Sequence, residues 1–157
     1  MMPHTVLVPT EGSPLSTKAL EVALTDYPDA EIIVLHVMDP IGSGDTFFDV
    51  MRPKFEDGAP PGTVTPEYWR EWHDEAEKKA EKVFDEAREI AEEHSKEVET
   101  VLEFGKSDAV ILEYIEKNEI ERVVMGSHCR KGAERFLLGS VAENVVRRSP
   151  VPVTIVR

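Results

Sequence analysis

The loop after the fourth predicted strand combines small residues and cations in the pattern of a phosphate-binding site. It runs from Gly126 to Ser140 and contains Arg130, Lys131 and Arg135. Glycine lets the main chain approach a ligand closely. A helix N-terminus presents free amides and the positive end of the helix dipole. Since the residues from Ser140 onward are predicted to form a helix, this loop favours a phosphate site.

The same residues also allow a purely structural interpretation. Ser140 and Glu143 have the Ser-x-x-Glu spacing of a capping box, in which each side chain satisfies a main-chain amide of the first helical turn. A capping hydroxyl can also face a phosphate. The two interpretations of Ser140 are therefore compatible.

The charge of the chain limits its partners. Its 157 residues include 31 acidic and 18 basic side chains, for a net charge of −13. Such a charge repels nucleic acids and anionic membrane surfaces. Residues 122–157, however, contain seven basic side chains against two acidic ones. We therefore expect a local anion site in an acidic protein that binds neither nucleic acid nor membrane.

Strands and helices alternate along the predicted chain. The predicted strands are Thr5–Pro9, Glu31–Val37, Glu97–Phe104, Glu121–Met125 and Val151–Val156. The predicted helices begin at Ser13-Pro14, Thr65-Pro66, Ser107-Asp108 and Ser140. This order predicts an α/β fold, a doubly wound, Rossmann-like sandwich around a five-stranded, mostly parallel sheet. Ligands of such sheets bind at the carboxyl ends of the strands.

One long connection interrupts this pattern within a single predicted domain, 1–157. The stretch at about 39–64 holds four glycines, four prolines and three phenylalanines, Phe47, Phe48 and Phe55. Connections this long are usually functional or mobile. We expect either a flap held against the domain by its aromatic rings or a lid over a ligand. The downstream Trp69 and Trp72 are expected to pack against the domain or the flap rather than stack on a cofactor.

The glycine loop resembles the nucleotide-binding signature of the universal stress protein family, Gly-x-x-Gly-x(9)-Gly-Ser/Thr. Gly126, Gly139 and Ser140 match the first glycine, the last glycine and the hydroxyl residue. The first two strands and the closing helix and strand are also similar, so that the resemblance covers the whole chain. It implies an adenine nucleotide alpha hydrolase-like fold, a homodimer formed through the last strand, and binding of ATP, or AMP or ADP, with or without Mg²⁺.

The resemblance also implies a set of contact residues. Pro9, Thr10 and Glu11 would line the adenosine end, and the main chain of Val37 would meet adenine. The residues that would surround the ribose and phosphates are Met125, Gly126, Cys129, Arg130, Gly139, Ser140 and Val141.

Two positions depart from the family pattern. Glu11 stands where an aspartate is usual, which keeps the carboxylate but extends its reach by one methylene. Cys129 replaces the second glycine. If that position needs a positive φ, a side chain there costs about 1–2 kcal/mol. If it needs only an amide, cysteine can serve.

These residues lead to one main functional hypothesis and two alternatives. The main hypothesis is a nucleotide-dependent regulatory or interaction module of the stress response, with at most slow ATP hydrolysis, because no residue is identified as a general base. One alternative is a nucleotide-free family member that acts through dimerisation and unknown protein partners. The other is a redox sensor that uses Cys129, whose thiol would lie among cations near a helix N-terminus.

The last strand and the remaining composition supply three further expectations. Val151, Val153 and Ile155 would share one face of an edge strand, the kind of strand that tends to pair with another chain. The N-terminus resembles no signal peptide and no apolar run approaches 20 residues, so a cytoplasmic location is expected. A salt-rich cytoplasm would explain the acidic surface, because the Debye length falls to about 3 Å at 1 M salt.

Overall fold

The computed structural model describes residues 2–39, 66–127 and 138–157, in which five strands and four helices alternate. The strands are β1 (Thr5–Thr10), β2 (Glu31–Met38), β3 (Glu99–Phe104), β4 (Arg122–Gly126) and β5 (Val153–Val156). The helices are α1 (Pro14–Asp26), α2 (Pro66–Glu93), α3 (Ser107–Lys117) and α4 (Ser140–Arg148). The predicted insertion beyond Asp39 and the loop residues 128–137 lie outside the described residues.

The five strands form one sheet in the order β3-β2-β1-β4-β5, and every neighbouring pair is parallel. This confirms the predicted α/β class and the five-stranded sheet. From β1 the chain adds β2 and β3 on one side, and then crosses over to add β4 and β5 on the other. The order therefore reverses between β1 and β4, the position at which such folds bind ligands.

Each face of the sheet is covered by two helices, because the strands are apolar on both sides. On the first face, α1 and α2 pack on the even-numbered residues of β1 and β2, such as Val8 and Val34. On the second face, α3 and α4 pack on odd-numbered residues such as Leu7 and Leu35. A side chain at the end of a strand can thus be assigned to a face by its number.

The predicted helix starts at Ser13-Pro14, Ser107 and Ser140 are confirmed, but the predicted side-chain caps of the last two helices are wrong. The Ser13 hydroxyl accepts a hydrogen bond from the Ser16 amide at 3.2 Å, and Pro14 is the first helical residue. Helix α3 is capped by Lys106 and α4 by Gly139, in both cases without a side-chain hydrogen bond. Ser140 already lies within its helix, so its hydroxyl does not reach back over the free amides.

The remaining polar side chains of these two helix starts have other partners. Instead of completing a capping box, the Glu143 carboxylate pairs with Arg147 at 2.8 Å on the next turn. Asp108 is 8% exposed and does not cap α3. One of its oxygens accepts from the Ala109 amide at 2.9 Å, and the other accepts from Asn144 at 2.7 Å.

The last strand begins two residues later than predicted. Pro152 has no N–H to donate to the ladder, although its carbonyl accepts from the Val123 amide at 3.0 Å. Val151 is instead held in the preceding turn, where its main chain bonds to the Ser149 hydroxyl. The ladder with β4 therefore starts at Val153.

The two tryptophans of α2 pack against the domain, as predicted, and their partners there are other aromatic side chains. Trp72 is 1% exposed, and its ring centroid lies 5.6 Å from that of Phe104, at the end of β3. Trp69 contacts Trp72 edge-on at 6.0 Å and remains 41% exposed. These contacts fix the beginning of α2 beside β3.

Ser13 caps its helix and Ser140 does not, so we expect the loss of each hydroxyl to change the free energy of unfolding by a different amount. Replacing Ser13→Ala deletes a helix cap and should lower the free energy of unfolding by about 1 kcal/mol. Ser140→Ala deletes an exposed hydroxyl without a capping bond and should change it by less than about 0.5 kcal/mol. Urea unfolding followed by circular dichroism measures both. An equal loss in the two variants would contradict the assignment of Gly139 as the cap.

Candidate functional site

The hydrogen-bonded ladder between β1 and β4 is short. These strands pair at Val6 with Arg122 and at Leu7 with Val123. β1 continues to Thr10 and β4 to Gly126, and no further pair joins them in these fully described strands. On its other side β1 stays paired with β2 up to Thr10. The strand order reverses between β1 and β4, and in open α/β sheets the crevice that receives a ligand lies at this point, beyond the carboxyl ends of the strands.

Pro9 gives a physical reason why the ladder between β1 and β4 ends early. The Thr5 carbonyl accepts from the Glu121 amide just before β4, whereas the His4 carbonyl accepts from Glu31 in β2. Because successive main-chain groups of a strand point to opposite edges, odd-numbered residues of β1 face β4. At Pro9 the donor toward β4 is missing. The β1–β4 ladder therefore ends after Leu7.

Gly126 closes the bottom of the crevice by letting α1 approach β4. A Cβ atom at this position would lie 3.0 Å from Leu15 Cβ and 3.2 Å from the Leu15 carbonyl carbon. Any larger residue would push the first turn of α1 away from β4. The first glycine of the signature is thus required by packing as well as by any ligand.

The turn from β1 to α1 holds Glu11 at the rim. Glu11 Oε1 accepts hydrogen bonds from the hydroxyls of Ser13 at 3.1 Å and Ser16 at 3.4 Å. Gly12 follows with φ = +84°, a conformation that favours glycine, and its amide donates to Thr10 Oγ1 at 3.2 Å. The exposed carboxylate is therefore oriented by the start of α1.

Three of the predicted contact residues share the second face. Val37 and Met125 pack against the cluster formed with α3 and α4, and Pro9 lies two residues after Leu7 of the same cluster. They belong to the neighbouring strands β2, β1 and β4. Pro9 and Met125 are buried and Val37 is half-buried, on the side of the sheet that carries α4.

The N-terminus of α4 is held at the end of β4. The Gly139 amide donates to the Ser127 carbonyl at 2.8 Å, immediately after the strand. One turn later Asn144 donates to Asp108 of α3. Ser140 is exposed, and the cap residue Gly139 has no side chain to bond the amides of the first turn. The free amides of α4 therefore point to the same edge of the sheet as the crevice.

The structure thus gathers most of the residues predicted from the sequence at one edge. They are Pro9, Thr10, Glu11, Val37, Met125, Gly126, Gly139, Ser140 and Val141. Cys129 and Arg130 lie outside the described residues. The three residues predicted for the dimer interface lie apart from this group. Val153 and Ile155 belong to the edge strand β5, Val151 precedes it, and all three are partly buried on the second face.

The sequence analysis missed the residues that support this arrangement. Ser16, which is 4% exposed, binds Glu11 from the first turn of α1, and Asn144 links α4 to Asp108. Because the sequence predicted a helix that starts at Ser13, it also placed Ser16 in the first turn of that helix. The contact of Ser16 with Glu11 could therefore have been predicted. The Asn144–Asp108 contact joins residues 36 apart and has no signal in the sequence.

Two classes of site have no support in the part of the chain that the structure describes. No group of three or more histidine, cysteine, aspartate or glutamate side chains could hold a metal ion among residues 2–39, 66–127 and 138–157. Within the same ranges, no helix has the length and apolar composition needed to cross a bilayer.

Known proteins of similar sequence belong to one family. The chain is 31% identical to Universal stress protein MJ0531 of Methanocaldococcus jannaschii over 156 residues, which cover 97% of this chain and 81% of that protein. It is 29% identical to Universal stress protein YxiE of Bacillus subtilis, with 97% of each chain covered.

Solved structures show the same fold. MJ0577 of M. jannaschii superposes with a TM-score of 0.68 at 26% identity, over 99% of this chain and 96% of that one. A universal stress protein in complex with cAMP gives 0.63 at 21% identity, covering 100% and 98%. A family protein of Arabidopsis thaliana with AMP bound gives 0.63 at 17%, covering 98% and 91%.

The sequence model of the universal stress protein family matches residues 2–157. This match spans all the strands and helices described above, including both sides of the crevice. The chain therefore belongs to the universal stress protein family.

Proposed function

We propose that this protein binds an adenine nucleotide, ATP or AMP or ADP, in the crevice between β1 and β4. The observation that carries the proposal is the reversal of strand order between β1 and β4 beside the N-terminus of α4, whose cap residue Gly139 has no side chain. Two structural relatives of the same family have cAMP and AMP bound. The sequence signature and the crevice lie at the same edge of the sheet.

The phosphates would lie at α4. The amides of its first turn, the exposed Ser140 hydroxyl and the positive end of the helix dipole are suited to a phosphate. The basic side chains of Arg130 and Lys131 belong to the preceding loop and would add positive charge. This charge is local, because the acidic excess of the chain lies outside residues 122–157.

The adenosine would lie on the second face, over Pro9, Val37 and Met125. The half-buried Val37 side chain, with Pro9 and Met125 beneath it, would meet the base, and the Val37 main chain would contact the edge of the base. The Glu11 carboxylate stands at the rim, where it could share its serine partners with a ribose hydroxyl. Any Mg²⁺ would be bound mainly by the phosphates, since the described residues hold no cluster of ligands for it.

The biological role that fits this site is a nucleotide-dependent regulatory or interaction module in a stress response. The described crevice contains no histidine beside an activated hydroxyl, and Glu11 is occupied by serine hydroxyls of α1. We therefore propose at most slow hydrolysis. A nucleotide-free module that acts through dimerisation is the competing function.

Calorimetric titration distinguishes these functions. AMP and ATP, each with and without Mg²⁺, should bind the wild-type protein, and Ser140→Ala should weaken AMP binding roughly tenfold by removing a hydrogen bond to a charged group. Ser149→Ala, the same change at the other end of α4, should leave nucleotide affinity unchanged. Absence of heat and of any thermal shift at millimolar nucleotide would contradict binding.

The residue at position 129 provides a second test. If the family glycine is needed there for a positive φ, Cys129→Gly should raise AMP affinity about fivefold to tenfold, which corresponds to 1–1.4 kcal/mol of relieved strain. Cys129→Ser keeps a side chain of similar size and should bind as the wild type does. The same titration measures both variants, and a weaker Cys129→Gly complex would assign the cysteine a favourable contact.

We further propose that two copies associate through β5. This strand forms one edge of the sheet, and its even-numbered residues face β4, as the Pro152 and Val156 carbonyls show by accepting from β4 and Ser127. The amide of Val153 then points away from the sheet. An edge with outward amides and partly exposed valine and isoleucine side chains can pair with a second copy.

This geometry allows dimerisation to be tested without unfolding the sheet. Val153→Pro removes an outward amide while sparing the ladder with β4, and should convert a dimer into a monomer of native circular dichroism. Val153→Thr keeps both the amide and the side-chain shape and should remain dimeric. Light scattering at micromolar protein measures the mass, and a monomeric wild type would contradict the proposal.

A further inference from the structure

His36 occupies a buried position behind the proposed adenosine end. It precedes Val37 near the end of β2 and is 3% exposed. Its Nδ1 lies 2.8 Å from the Thr10 carbonyl oxygen, and its Nε2 lies 3.0 Å from Met38 Sδ. One ring thus contacts the last residues of both β1 and β2.

The contact with Thr10 fixes the role of Nδ1. A carbonyl oxygen can only accept, so Nδ1 carries the proton and donates to Thr10. The bond adds a side-chain donor at the last paired level of the β1–β2 ladder, where Thr10 lies opposite His36. It connects the main chain of β1 to β2 just before the turn that holds Glu11.

The imidazole cannot itself touch a nucleotide on the second face. Even-numbered residues of β2 point to the first face, and the His36 ring meets Phe84 of α2 edge-on, with centroids 6.2 Å apart. Val37 points the opposite way, toward α3 and α4. Any effect of His36 on a ligand must therefore pass through the main chain of Thr10 and Val37.

We propose that His36 is a positioning residue that sets base selectivity, by holding the ends of β1 and β2 at a fixed separation from behind the site. The inference rests on the proposed adenine site, because its consequence for a ligand requires the Val37 main chain to read the base. With the strand ends fixed, the groups facing the base edge are held in place before binding, which favours the base that matches them.

Two substitutions separate the donor from the ring. His36→Phe keeps a ring of similar volume against Phe84 but removes the donor to Thr10. His36→Asn loses the ring but places an amide N–H near the position of Nδ1. Phe84→Leu serves as a control that loosens the packing on the same side without changing the donor.

The first measurement is calorimetric binding of AMP and IMP, whose bases differ in the group at position 6 and in whether N1 accepts or donates a hydrogen bond. His36→Phe should lower the ratio of AMP to IMP affinity roughly fivefold, the equivalent of one net hydrogen bond. His36→Asn and Phe84→Leu should keep the wild-type ratio even if their melting temperatures fall. A purely structural role would lower stability in all three variants and leave the ratio unchanged, which would overturn the proposal.

The second measurement needs no nucleotide. The Gly12 amide donates to Thr10 Oγ1 and the Gly105 amide donates to the Met38 carbonyl, so both report on residues that contact His36. Hydrogen exchange at these two amides should accelerate about fivefold to tenfold in His36→Phe and not in His36→Asn. The Glu31 amide, bonded to His4 at the other end of the ladder, is the internal reference.

The two measurements keep the proposals distinguishable. If wild-type protein binds neither AMP nor IMP, the proposed function fails, while faster exchange at Gly12 and Gly105 in His36→Phe still supports the hold on the strand ends. If exchange in His36→Phe equals that of the wild type, His36 does not fix the strand ends and the inference is wrong. Faster exchange with an unchanged AMP to IMP ratio would also overturn it.

Discussion

The reversal of strand order between β1 and β4 is the constraint on which the rest of the site depends. Because the connections after these two strands lead to opposite faces of the sheet, room for a ligand is left beyond their carboxyl ends. Pro9 removes the amide that would continue the ladder, whereas β1 remains paired with β2 as far as Thr10. β1 is thus hydrogen-bonded to β2 along its whole length and to β4 only as far as Leu7.

The rims of this crevice come from distant parts of the chain. Glu11 is held by hydroxyls of the first turn of α1, and Gly139 is tied to the end of β4 through Ser127. Helix α1 also lies directly against Gly126, where a Cβ atom would have no space. The contact between Gly126 and Leu15 therefore sets the distance between α1 and β4. The first turn of the same helix orients the Glu11 carboxylate.

Local chemistry explains which details the sequence could predict. The alternation of apolar strands with helices predicted the element order and the α/β class, because burial on both faces leaves continuous apolar runs. At Ser13 the serine and proline predicted both the cap and the first helical residue. At Ser140 the sequence predicted the first helical residue correctly but not the cap, which is Gly139.

By itself, the sequence determined the family, the order of elements, the proline that ends a ladder and the glycines that permit close packing, because each of these depends on residue type and near neighbours. Only the tertiary structure decided that Pro9, Val37 and Met125 share a face, that Asn144 meets Asp108, and that His36 reaches Thr10. Those contacts join residues far apart in the chain, and they follow from strand register and helix packing, which no local pattern encodes.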